Sequence, residues 1–222
     1  MKNRKAEIDK LTLVVPISVI VIIWAVYFIE INYGFNFNKY GIYPRTFKGL
    51  RGIIFSPFIH GSVSHIFNNS IPLAVMLGSL YFFYKKIATK VLLIGIFLTG
   101  FLTWIFARPA YHIGASGVVY FLVSFIFFSG IFRKHYRLIA LSLVVVFLYG
   151  SLIWYVFPVE EAISWEGHLS GFLMGLLFAY LFKKQGPQPE QFIFSKNEAF
   201  ENQFDENGNF IEQTEENSKE EE

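Results

Sequence analysis

The sequence predicts an all-α membrane protein, a bundle of six transmembrane helices. Three observations carry that prediction: a shortage of charge, six apolar runs, and the placing of Lys and Arg between them. Of 222 residues, 54% are hydrophobic, 19% aromatic and only 16% charged, against about 25% charged in an average soluble domain. The shortage of charge matters more than the apolar excess, because a water-facing surface is built from those charges. The chain has no cysteine, which excludes a disulfide scaffold, a thiolate nucleophile and a Cys-ligated metal. The net charge of +2 averages two unlike pieces. Residues 1–185 carry 17 Lys+Arg against 6 Asp+Glu, a net of +11, whereas residues 186–222 carry 2 against 11, a net of −9.

The apolar runs are 11–29, 71–84, 91–107, 118–132, 138–157 and 169–182. A helix needs about 20 residues to cross a bilayer core. The second, fourth and sixth runs are short. Each is completed by a semi-polar stretch just before it, at 65–70, 113–117 and 165–168. The first run is too long for a cleaved signal and lacks a small-x-small site after it, so it reads as a retained span. Orientation follows from the short connections. Lys2, Arg4, Lys5 and Lys10 precede the first span. Lys85, Lys86 and Lys90 follow the second, Arg133, Lys134 and Arg137 the fourth, and Lys183 and Lys184 the sixth. Both termini are therefore expected in the cytoplasm. The exception, a first loop with Lys39, Arg45, Lys48 and Arg51, is long, and long loops weigh less in this rule. The semi-polar starts of spans two, four and six then gather near the outer face. The division is a cytoplasmic N-terminus (1–10), a six-span body (11–184) and an acidic tail (185–222). The tail, punctuated by Phe192, Phe194, Phe200, Phe204 and Phe210, reads as disordered, with a docking segment as the alternative.

Residues that hydrocarbon should reject mark function by default. His65 and Asn69 are four apart and share a helix face. His60 lies outside the span and reads as a loop residue. Ser116 sits between glycines in G-A-S-G-V-V-Y at the start of span four, where free N–H groups and the positive helix end favour an oxyanion. The plainer reading is an N-cap serine. Tyr120 lies one turn below it. His168, Gly171 and Gly175 form one stripe, and the two glycines admit a neighbouring helix closely. If that neighbour is span four, His168 comes within reach of Ser116, and Tyr120 packs on the imidazole. The plainer reading of His168 is a buried histidine bonded to a backbone carbonyl. Glu166, two residues from His168, points elsewhere on a helix, which leaves a Ser-His pair without an acid. There is no H-E-x-x-H pattern for zinc. A transporter would predict internal repeats and charge at the midplane; no repeat is visible, and the polar set lies at one end.

Taken together, H-x-x-x-x-H-x-x-x-N at His60, His65 and Asn69, G-x-S-G-x-x-Y from Gly114 to Tyr120, and H-x-x-G-x-x-x-G from His168 to Gly175 resemble the rhomboid family of intramembrane serine proteases. The resemblance spans about residues 11–184. It implies a bacterial type of six-span core with a partly membrane-embedded first loop. It also implies Ser116 as nucleophile and His168 as general base. The oxyanion hole would be made by His65, Asn69 and the Ser116 N–H, with Tyr120 supporting the imidazole and Gly114, Gly117, Gly171, Gly175 and His60 supporting the site. The family's Trp-Arg pair in the first loop is incomplete here, since Arg51 follows Leu50, and Arg51 is left without an assigned role. Phe47, Ile53, Ile54, Phe55 and Phe58 suit a loop sunk into the outer leaflet. The implied substrates are transmembrane proteins in the bacterial plasma membrane, cut from its outer side, with the lipid bilayer as the other partner. No cofactor, metal or nucleic-acid partner is implied. The alternative within the family is an inactive member that binds membrane clients; such members are expected to lack the serine or the histidine, and both are present.

Overall fold

The computed structural model describes residues 9–148, 154–160, 163–188 and 198–211. The α-helices in that span are α1 (Leu11–Tyr33), α2 (Gly52–Phe55), α3 (Val63–Phe83), α4 (Ala88–Phe106), α5 (Ser116–Phe132), α6 (Tyr136–Leu148), α7 (Trp165–Leu181) and α8 (Glu198–Glu201). No strand longer than an isolated bridge occurs among the described residues. Three helices, α1, α3 and α4, are long and apolar enough to cross a membrane, and α5 and α6 are shorter apolar helices. The chain divides into two compact units, Met1–Pro189 and Glu190–Glu222.

The helix starts follow local chemistry. The Ser62 hydroxyl accepts the His65 N–H at 3.1 Å and caps α3, so 65–70 lie in its first two turns. The start of α5 differs from expectation. Gly114 has φ +104°, a left-handed backbone that ends the preceding connection, and the helix begins only at Ser116. Residues 113–115 are therefore a turn. The fifth run is helical to Leu148, and Trp154–Val156 form a 3-10 turn; residues 149–153 lie outside the described part.

The core surrounds α5, which packs against α7, α6, α3 and α4. Its Phe121, Leu122, Phe125 and Ile126 are fully buried. By contrast, Leu13, Ile17, Val21 and Phe28 of α1 are exposed, as suits a surface whose surroundings are as apolar as its side chains. A polar clasp holds α1 to α3: Trp24 donates to Ser70 Oγ at 3.0 Å, and Ser70 donates to the Ile66 carbonyl at 2.7 Å. The closest approach is between α5 and α7. A Cβ on Gly171 would lie 2.2 Å from the Gly117 carbonyl oxygen, and one on Gly175 would lie 2.4 Å from that of Phe121.

In the first loop, Phe47, Ile54 and Phe55 are exposed, but Ile53 is buried against Gly100 of α4. The expected outward set thus loses Ile53, because the short α2 turns that side chain inward, and Phe58, which is half-buried and packs against the core. Arg51 donates to the Lys39 carbonyl at 2.9 Å and stacks 4.4 Å over Tyr40, tying the loop to itself. Arg133, buried at 3% exposure, donates to the carbonyls of Phe182 and Gln185 and so satisfies the C-terminal end of α7.

In the second unit, α8 leads into a turn closed by the Phe204–Phe210 bridge. Asp205 accepts the N–H groups of Asn207 and Asn209. Phe204 packs on Phe200 and Phe210. Local order therefore exists at 198–211, within the tail read as disordered. Phe192 and Phe194 lie outside the described residues.

Candidate active site

Ser116 is the first residue of α5. Its helix has Ala115 at the N-cap position, without a side-chain cap bond, so the serine hydroxyl is not used for capping. It faces α7 instead, where Ser116 Oγ lies 2.8 Å from His168 Nε2. The other ring nitrogen, Nδ1, lies 2.8 Å from the Tyr155 carbonyl oxygen. A carbonyl can only accept, so Nδ1 carries the proton and Nε2 offers its lone pair to the Ser116 O–H. The Tyr120 ring stacks on the imidazole with centroids 4.2 Å apart and planes 12° apart. His168 is thus fixed in tautomer by one contact and in ring plane by another. Glu166, buried at 1% exposure, turns away to accept the Arg108 N–H at 3.1 Å.

His65 and Asn69 stand against the turn before Ser116. A Cβ on Gly114 would lie 2.6 Å from His65 Nε2 and 3.5 Å from Asn69 Nδ2. Gly114 is therefore required twice, for its φ and for that space. Asn69 Nδ2 is buried without a hydrogen-bond partner among the described residues. His65, Asn69, Ser116, Tyr120, Tyr155 and His168 all line one cavity of about 1010 Å³. Gly117, Gly171 and Gly175 lie where α5 meets α7. Among the described residues no group of three His, Asp or Glu is placed to hold a metal.

The family model described as "Rhomboid domain" matches residues 48–185. The chain belongs to the rhomboid family. Its members are generally intramembrane serine proteases. Uncharacterized proteins of Mycobacterium bovis and Mycobacterium tuberculosis are each 33% identical to it over 179 residues, covering 74% of this chain and 72% of the relative. One from Mycobacterium leprae is 33% identical over 144 residues, covering 60% and 56%.

His60 sits behind His65, with ring centroids 5.0 Å apart, at 1% exposure. Burial first, and then the neighbouring His65, lower its pKa from 6.5 to about 4. The folded rhomboid therefore binds fewer protons there than the unfolded chain between those values. Stability is complete above about pH 6.5 and falls as pH drops toward 4. The apparent melting temperature in detergent is expected to fall over that window, and less steeply in His60→Gln.

Three contributors to this site belong to none of the three sequence motifs. Tyr155 acts through its carbonyl, which every residue type has. His112, at 4% exposure, and Ser164 join the turn before α5 to the start of α7, with His112 Nδ1 2.6 Å from Ser164 Oγ. Burial lowers the His112 pKa, against the opposing pull of the Arg108 carbonyl and Glu166.

Proposed function

We propose that this rhomboid is an intramembrane serine endopeptidase that cuts transmembrane substrates with a Ser116–His168 dyad. The observation that carries the reading is the 2.8 Å contact between Ser116 Oγ and His168 Nε2, with Nδ1 committed to the Tyr155 carbonyl. Six spans with both termini in the cytoplasm would open the cavity to the outer side of a bacterial plasma membrane, and the mycobacterial relatives favour a bacterial setting.

In the first step Ser116 Oγ attacks the scissile carbonyl carbon while its proton passes to His168 Nε2. The carbonyl π pair moves to oxygen. The tetrahedral intermediate then collapses, the C–N bond breaks, and His168 returns the proton to the departing amine. Water next attacks the acyl ester and gives its proton to His168. The ester C–O bond breaks, Ser116 regains the proton, and the acid product leaves. The Tyr155 carbonyl holds the imidazolium throughout. The cavity's polar lining favours the water that a bilayer lacks.

The oxyanion falls to His65, Asn69 and the Ser116 N–H. The unpaired Asn69 Nδ2 supports this, because an aimed donor with no ground-state partner stabilises only the charge that develops. Asn69→Ala and His65→Ala are each expected to lower kcat by about 10²–10³-fold, with little change in KM. Steady-state cleavage of a fluorogenic transmembrane peptide in detergent measures both. A helical substrate shields its own peptide bonds, so helix-weakening residues near the outer boundary are the expected cut site.

A fluorophosphonate followed by intact-mass and peptide analysis tests the dyad. One adduct on Ser116, lost in Ser116→Ala and slowed to near background in His168→Ala, is expected. An adduct that persists unchanged in His168→Ala would contradict the dyad.

A further inference from the structure

We propose that His112 is a positioning residue for the Ser116–His168 pair, its imidazole joining the turn that carries Ser116 to the start of the helix that carries His168. This rests on the peptidase reading above. The close packing of α5 on α7 begins in the first turns of both helices, where a Cβ on Gly117 would lie 3.2 Å from the Gly167 carbonyl oxygen, and runs down past Gly171 to Gly175. Ser116 and His168 lie above most of it, in the first turns of their helices, where intrahelical bonding is incomplete. The glycine contact sets how closely these two ends approach but contributes no directional bond, so polar contacts beside it add a constraint on their register.

The contacts between 108–112 and 163–166 do so. His112 Nε2 lies 3.0 Å from the Arg108 carbonyl, which can only accept, so Nε2 carries the proton. Nδ1 is then a bare acceptor for the Ser164 hydroxyl at 2.6 Å. Both ring nitrogens are thereby committed, and His112 is no second base. Ser164 is the N-cap residue of α7, yet its side chain makes no capping bond. A serine in that position ordinarily caps its own helix; here its hydroxyl is given to His112. Alongside, Glu166 Oε1 accepts the Arg108 N–H at 3.1 Å and pairs with its guanidinium at 3.6 Å, and Arg108 Nη2 donates to the Ile163 carbonyl at 2.7 Å. From behind, His112 and Ile42 exchange backbone bonds of 2.9 and 3.0 Å, so the first loop backs the ring. Three residues separate His112 from Ser116, and one separates Glu166 from His168. A shift in this junction is a shift of nucleophile against base.

The test uses the full chain in detergent, with a fluorophosphonate as probe of the pair and the fluorogenic transmembrane peptide for steady-state rates. His112→Leu removes both ring bonds. A misplacement of about 1 Å costs about 100-fold in rate, so labelling of Ser116 and kcat should both fall by that order while KM stays within about twofold. His112→Asn, which keeps an acceptor near the Nδ1 position, should recover most of the loss. Ser164→Ala removes only the hydroxyl and covers the case in which His112→Leu does not fold; it should slow labelling at least about tenfold, less than His112→Leu because the Arg108–Glu166 contacts remain. Labelling at the wild-type rate in His112→Leu, or in Ser164→Ala, overturns the proposal. So does a loss that tracks the melting temperature with His112→Asn no better than His112→Leu. If the wild type itself labels no faster than Ser116→Ala, the peptidase reading fails and this inference with it.

Discussion

Ser116→Ala is expected to reduce peptidase activity to background, a loss on the order of 10⁴-fold or more, while leaving the fold intact. The activity loss would follow from removing the atom that forms the acyl bond in the proposed mechanism. The intact fold follows from what the hydroxyl does not do. It caps no helix, since α5 begins without a side-chain cap, and its partner is His168 Nε2 alone among the contacts described. Alanine is also a good residue for a helix start interior. Melting in detergent should stay within about 5 °C of the wild type, since the change removes one hydrogen bond of small net worth. His168→Ala should lose comparable activity. The double variant should be no worse than either single one, because the two groups act as a unit.

Gly171→Val is expected to damage both stability and activity. The Cβ alone would meet the Gly117 carbonyl oxygen at 2.2 Å, Phe121 N at 2.9 Å and Tyr120 Cβ at 3.1 Å. Two of these are backbone atoms within α5, which no rotamer change can move. The helices must separate, with a cost of about 3 kcal/mol or more, and His168 moves away from Ser116 with its helix. Gly78→Ala in α3 is the matched control. Its new Cβ would find nothing nearer than 3.6 Å, and alanine gains helix propensity of about 1 kcal/mol. The expected order of melting temperatures is Gly78→Ala at or above wild type, with Gly171→Val well below. The reverse order would mean that the α5–α7 contact is not the close junction described above.

Much of the fold and of the site could be read from the sequence, for identifiable physical reasons. Apolar runs long enough for helices are a one-dimensional signal. So are polar residues at the starts of three of them, because hydrocarbon leaves few other places for His and Asn. The i, i+3, i+7 stripe of His168, Gly171 and Gly175 was legible as a close-approach face, and that face meets α5. What escaped lies in contacts without a pattern. The Tyr155 carbonyl that orients His168 could belong to any residue type. His112 and Ser164 are 52 residues apart in sequence, and neither repeats at a helical period with the other. Helix α5 begins at Ser116, the residue placed at the start of span four, and 113–115, expected to complete that span, stay outside the helix because Gly114 takes a positive φ. Ile53 was misjudged because α2 is a single turn, too short for periodicity to say which side faces the protein.

Intramembrane cleavage by Ser116 can be measured in proteoliposomes with a labelled single-span substrate, the cut site being mapped by mass spectrometry. The substrate carries a Gly/Pro-containing segment near its outer boundary, and a poly-Leu version serves as comparison. One cut near that boundary is expected for the wild type, none with Ser116→Ala, and slow or no cutting of the poly-Leu helix. Equal cutting by wild type and Ser116→Ala would contradict cleavage by Ser116.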